Sequence, residues 1–304
     1  MATLPSPANG TAVLPSSSAS SVPARDPHPA NYAWFLNISI WILATSSTAF
    51  LTLRIWGKRR RDRKLWWDDH FLISSWVCLI ISCILQSFAT TLGFGMDNRD
   101  IKDLATTRLV SLIAGFFLII AAAWSKTSFA ITLLRISDGW VRRFVWFVLL
   151  STNIAIALSG VIQWAPCWPL QKQWHMELPG VCLRLWFING YNIFVAAYSG
   201  LMDIALALLP WKIVWPMVIW SRREKLGITF SMSLGVFAGL TSFAKILALY
   251  LVTKPNAEPE FVMVLMILGT AESAITIIAV SIPVLRSSLK GNIRPVARSS
   301  LAVL

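Results

Sequence analysis

Residues Leu109–Arg135 read LVSLIAGFFLIIAAAWSKTSFAITLLR, an apolar run interrupted by one charge, Lys126. About 20 apolar residues suffice for a helix to cross a bilayer, and this run is long enough. A charge at that depth costs several kcal/mol unless it is paired, hydrated or able to snorkel. The run therefore predicts both a membrane-spanning helix and a partner for Lys126 elsewhere in the chain.

The composition agrees with a membrane setting. Hydrophobic residues make up 56% of the 304 and charged residues 13%, with a mean hydropathy of +0.64. A soluble domain is about 45–50% apolar and about 25% charged. Too little polar surface remains to coat a soluble fold, so the chain reads as a polytopic membrane protein in contact with the lipid bilayer.

Six further apolar segments flank the opening one, separated by charged or Pro/Gly-containing breaks. The seven are residues 32–53, 70–94, 109–135, 144–164, 187–215, 226–252 and 261–285. An unpaired backbone is too costly in lipid, which makes the segments helices. The expected fold is an all-α seven-transmembrane helix bundle over residues 32–285. A Ser-, Pro- and Ala-rich tail precedes it (1–31), without an apolar signal region, and a short basic tail follows (286–304).

The placement of basic residues orients the bundle. Eighteen of the 27 Lys and Arg fall in the first, third and fifth loops and the carboxyl tail, where Arg54, Lys58, Arg59, Arg60, Arg61, Arg63 and Lys64 form the densest group. Seven fall on the other side, and Lys126 and Lys245 lie within spans. By the positive-inside rule the amino terminus is outside and the carboxyl terminus cytoplasmic. This placement also accounts for the net charge of +13 without a nucleic-acid partner. Tryptophans cluster at both sets of span ends, as expected of interfacial belts. The chain reads as multi-pass, in the plasma membrane or an endomembrane.

The same orientation puts Asn9, in an Asn-Gly-Thr glycosylation sequon, on the outer side. Cys167 and Cys182 are then in an outer loop, where an oxidising compartment permits a disulfide. Asn37 belongs to a second sequon but falls within the first span. Cys78 and Cys83 lie in the second span and read as small core residues. His28, His70 and His175 are scattered without zinc-ligand spacing, so no metal is expected.

Four ionisable residues stand at membrane depth: Lys126, Asp203, Lys245 and Glu272. Counting 1.5 Å per residue from the span ends matches Lys126 with Asp203 and Lys245 with Glu272. Charges at this depth mark either a polar ligand cavity or structural ion pairs that set helix register. Asp68 and Asp69, opening the second helix after Trp66 and Trp67, read as caps that suit the positive end of the helix dipole. Gly235-x-x-x-Gly239 permits close helix packing in the sixth span. Pro210 and Pro283 are expected to kink or end their helices.

Taken in order, several of these motifs resemble the fungal rhodopsin-like integral membrane family, seven-helix proteins of filamentous fungi. They are Trp66-Trp67-Asp68-Asp69, the run from Lys126 to Ile136, and the outer loop with Cys167, Pro169, Trp174, Gly180 and Cys182. Asp203 followed by L-L-P-W-K-I-V-W, then R-R-E-K-L-G, and Glu272 followed by I-P-V-L complete the set. The resemblance implies a receptor-like, non-enzymatic protein related to G-protein-coupled receptors. A small-molecule ligand or pathway metabolite and a heterotrimeric G protein are the partners it implies. It also implies an association with secondary metabolism, since members occur in the satratoxin and other mycotoxin gene clusters. A retinal cofactor is not expected, because a microbial retinal protein needs a lysine in helix seven; residues 261–285 carry Glu272 and no lysine.

Signalling motifs of the D-R-Y and N-P-x-x-Y kind are absent, and the last cytoplasmic loop is short. Two other functions therefore stay open. One is a metabolite carrier or scaffold of a biosynthetic pathway; the other is a membrane-embedded cyclase using Asp203 or Glu272 as an acid.

Overall fold

The computed structural model describes residues 33–60, 66–94, 104–135, 137–175, 177–214, 222–253 and 260–290. Seven long helices carry the chain: α1 (Ala33–Arg59), α2 (Trp67–Thr91), α3 (Leu104–Leu134), α4 (Gly139–Trp164), α5 (Leu185–Val214), α6 (Arg222–Val252) and α7 (Glu260–Lys290). Each contains a window long and apolar enough to cross a membrane. Between α4 and α5 lie two short antiparallel strands, β1 (Cys167–Trp168) and β2 (Val181–Cys182), joined through a 3-10 turn at Leu170–Gln173. The tail with Asn9 falls outside the described residues.

The helices pack in a ring, α1 on α2 and α7, α2 on α3, α3 on α4, α4 on α5, α5 on α6 and α6 on α7. Two of them also cross the interior. α3 meets α7 and briefly α5, and α7 meets α2 as well as α1 and α6. α3 and α7 thus share the central position in the bundle. α2 ends in a Schellman motif, with Gly93 at φ 100°, the Phe94 N–H donating to the Ala89 carbonyl and the Gly93 N–H to that of Thr90. Glycine is favoured there because a Cβ strains the left-handed conformation.

Packing is uneven around the ring. α1, α2, α3 and α7 share buried apolar side chains, including Leu51, Leu72, Leu79, Leu118, Ile277 and Val280. α3, α4 and α5 share a second group, Ala130, Leu133, Val145, Val148 and Leu206, near the end where α3 meets α4. Close approach of α5 and α6 rests on small residues, as expected from Gly235 and Gly239. A Cβ on Gly239 would meet Ile204 Cγ1 at 2.6 Å, and one on Gly235 would meet Ala207 Cβ at 2.8 Å. Lipid tails are as apolar as the helix surfaces, so such packing, not water exclusion, is what joins the helices.

Three expectations are revised. α1 runs to Arg59, beyond the apolar span, so Arg54 and Lys58 are helical and buried instead of in a solvated loop. Asp69 does cap α2, its Oδ2 accepting the Trp66 N–H at 3.2 Å, but both aspartates are also buried in ion pairs. Pro210 and Pro283 do not end their helices: α5 continues to Val214 and α7 to Lys290.

Candidate functional site

The charges predicted at membrane depth come together. Lys126 on α3 is 5% exposed, and its Nζ lies 2.8 Å from Asp203 Oδ2 on α5. The same ammonium donates to the Ser199 hydroxyl oxygen, one turn before Asp203, and pairs with Glu272 Oε1 on α7. An ammonium has three donors, and here all three have acceptors. Glu272 Oε2 in turn accepts from Lys245 on α6.

Both expected pairs are therefore present, but they are not separate. Glu272 bridges the two lysines, making one chain, Asp203–Lys126–Glu272–Lys245, across four helices. Depth counting could not show this, because it gives height along a helix and not which helices face each other. The chain is balanced, two charges of each sign. Removing one member of such a buried set leaves an uncompensated charge, a strongly destabilising change.

Lys245, at one end of the chain, differs from Lys126. Its side chain keeps 19% of its surface accessible, and Glu272 is its one ion-pair partner among the described residues. It opens onto a cavity of about 760 Å³ lined by α3, α4, α5, α6, α7 and the disulfide loop. The floor holds Ser199, Ser242, Lys245 and Glu272. The walls are mostly aliphatic, with Leu118, Ile119, Ala122, Ile156, Val195 and Met266 among them. Asn192, Gln163 and Gln173 add amides. Ligand pockets of about 300–1,000 Å³ with apolar walls and a few placed polar groups are the usual form of small-molecule sites.

The loop above closes over this space. Cys167 and Cys182 form a disulfide across β1 and β2, and both line the cavity. Further bonds tie the loop down: the Leu183 N–H donates to the Pro166 carbonyl at 2.6 Å, and Gln173 Nε2 donates to the Gln163 carbonyl at 2.8 Å. Lys172 Nζ donates to the Gly180 carbonyl. Gly180 has no room for a side chain, since a Cβ would lie 2.5 Å from the Trp168 carbonyl oxygen.

Several cavity residues escaped the reading of the sequence. Ile188, Asn192, Val195 and Ser199 lead up to the predicted Asp203 at three- and four-residue steps, the signature of a single helix face. Ser242 and Leu249 flank the predicted Lys245 in the same way on α6. Those spacings were available signals, masked by the uniformly apolar background of the spans. No tryptophan lines the cavity among the described residues, and Trp34, Trp56, Trp67, Trp140 and Trp186 are exposed on the bundle surface, as belt residues should be.

A second buried ionic group was missed. Arg54 Nη2 lies 2.7 Å from Asp68 Oδ2 and its Nε 3.0 Å from Asp69 Oδ1, while Nη1 donates to the Val280 carbonyl on α7. Lys58 Nζ donates to Asp69 Oδ1 at 2.6 Å. Ser128 on α3 donates to the Asp68 carbonyl at 2.7 Å. The sequence signal was Arg54 and Lys58, four apart on one helix face, preceding the Asp68-Asp69 pair. Among the described residues no group of His, Cys, Asp and Glu is arranged to hold a metal.

Seven membrane-capable helices, a shared ionic core and a cavity beside the disulfide loop define a multi-pass, seven-helix integral membrane protein. The chain belongs to the fungal rhodopsin domain family, whose sequence model matches residues 53–291. That match runs from the end of α1 through α7 and includes the disulfide loop and both ionic groups. No curated protein and no solved structure matches the chain significantly.

Proposed function

We propose that this protein is a receptor-like, non-enzymatic binder of a small, largely apolar molecule, with the amino terminus and the disulfide loop on the outer face. The carrying observation is the 760 Å³ cavity with its aliphatic walls and its floor of Ser199, Ser242, Lys245 and Glu272. The ionic chain joins that floor to α3, α5, α6 and α7, so an occupant touching Lys245 acts on contacts that hold four helices together. That is the physical requirement for a receptor: a ligand shifts a conformational equilibrium only by its differential affinity for the two states.

The non-enzymatic reading is supported by the pairing of both carboxylates. Glu272 accepts from two lysines and Asp203 from one, so both carboxylates are committed to ion pairs between helices. A retinal attachment is likewise not part of this reading. α7 extends beyond the apolar span to Lys290, but that residue is 18 positions from Glu272, roughly 27 Å along the helix. The apolar cavity suits a product of secondary metabolism, the association that the family resemblance implies.

The test is ligand-dependent stabilisation of the full-length protein in lipid nanodiscs, screened against apolar fungal metabolites. Stabilising compounds are expected, recovered chemically unchanged by mass spectrometry. Ala122→Trp, which fills the cavity from α3, should abolish the stabilisation. A library in which no compound stabilises the wild type, or in which Ala122→Trp responds equally, sinks the cavity reading. Conversion of a bound compound to a product overturns the non-enzymatic one. Protease or glycosidase access to the segment around Asn9 on intact cells checks the orientation.

A further inference from the structure

We infer that the cavity selects molecules bearing a single acidic head on an apolar body, and that Lys245 is the residue that anchors the head. This rests on the ligand-binding reading above and adds the chemistry of the ligand.

Among the described residues three ionisable side chains line the cavity: Lys172 in the disulfide loop, Lys245 on α6 and Glu272 on α7. Two are cationic and one is anionic, so the wall carries an excess of positive charge. The anion is also fully engaged. Glu272 Oε1 pairs with Lys126 and Oε2 with Lys245, and its side chain is only 4% exposed. Both of its oxygens are already ion-paired, and little of its surface reaches the cavity.

Lys245 is the reverse case. Of its three ammonium donors, one is directed to Glu272, and its side chain is the more accessible member of the pair. Ser199, also at the floor, carries a hydroxyl able to donate to the same oxyanion. The Lys126 ammonium already fills the Ser199 lone pair on its side, which directs the Ser199 proton elsewhere. A basic ligand would meet Lys245 head-on with no free carboxylate to answer it. A neutral one would leave the remaining Lys245 donors without a charged acceptor. An acid satisfies them, and charge-assisted hydrogen bonds of this kind are roughly twice as strong as neutral ones.

The acid can arrive from two sources: a chain acid dissolved in the bilayer or a compact acid from the aqueous side. Equilibrium binding of radiolabelled dodecanoate and 1-naphthylacetate to the full-length protein in nanodiscs separates them. Each acid is compared with its own methyl ester, and empty nanodiscs are the blank. At least one acid is expected to bind tenfold or more tightly than its ester, the factor a charge-assisted contact confers. Preference for dodecanoate identifies the bilayer as the source, and preference for 1-naphthylacetate the aqueous phase.

In Lys245→Met the ratio of acid to ester affinity should fall to about one, and Lys245→Arg should retain the preference. Equal affinities of acid and ester in the wild type overturn the proposal while leaving the cavity reading intact, and that comparison needs no variant to fold. Acid preference that persists in Lys245→Met overturns the anchoring role. Absence of saturable binding by acids and esters alike removes the cavity reading and this inference together.

Discussion

The Arg54–Lys58–Asp68–Asp69 group and the Asp203–Lys126–Glu272–Lys245 chain each contain two positive and two negative side chains. Both draw on α7, and Ser128 and Lys126 place them two residues apart along α3. Their surroundings differ. In the first group every charge is 7% exposed or less, and Arg54 is fully buried, clamped between two aspartates and the Val280 carbonyl. In the second, the chain ends at a partly accessible lysine facing a cavity. A closed ionic group can only hold helices together, whereas an open-ended one can exchange a partner with a ligand. The contrast separates a structural clamp from a site without reference to any ligand.

The sharpest way to break this contrast is at Arg54. Arg54→Met leaves Asp68 and Asp69 sharing Lys58 and strips the Val280 carbonyl of its donor. A loss of about 3–5 kcal/mol is expected, read as a large fall in thermal unfolding temperature in nanodiscs and in folded yield. A change below about 1 kcal/mol, the size of an exposed pair, would show that the clamp is not structural.

Lys126→Met should come next, costing about 3 kcal/mol or somewhat more because Asp203 loses its cation and Glu272 one of two. Adding Asp203→Asn should recover part of the loss. A double variant no more stable than the single would mean the α3–α5 pair carries no coupling energy.

Replacing both Cys167 and Cys182 by serine opens a loop of 15 residues. The chain-entropy value is about 3 kcal/mol, and the effect here should be smaller, because α4 and α5 stay in the membrane and restrict the loop after unfolding. Ligand release should become several-fold faster at equal cavity occupancy. Unchanged release would show that the loop does not close the cavity.

The smallest stability effect is expected at Lys245. Lys245→Met leaves Glu272 paired with Lys126, so the cost should be about 1–2 kcal/mol, well below that of Lys126→Met. Equal costs would show that the two ends of the chain are energetically alike and that the open end is no special site.

Much of the fold was readable because the bilayer imposes a length and a composition on each span. The apolar run at Leu109–Arg135 reports a helix regardless of what surrounds it. Cys167 and Cys182 were legible as a pair for a related reason, lying close in sequence in a single loop. Lys126 announced the need for a partner, and depth alone selected Asp203. Arg54 and Lys58 were misplaced because basic residues after an apolar span ordinarily mark solvated loop. Only the acids at the start of α2, folded back against the end of α1, allow helix and charge to continue inward together.

The sequence by itself determined the number of spans, their membrane setting and the presence of charges needing compensation, since each follows from local hydropathy and the cost of unpaired charge in lipid. Which charges meet, and that Glu272 joins two pairs into one chain, was decided by the tertiary structure. So was the cavity at Lys245. Both depend on how helices distant in sequence are rotated and packed, and a bundle sets those rotations through side-chain fit across all seven helices at once.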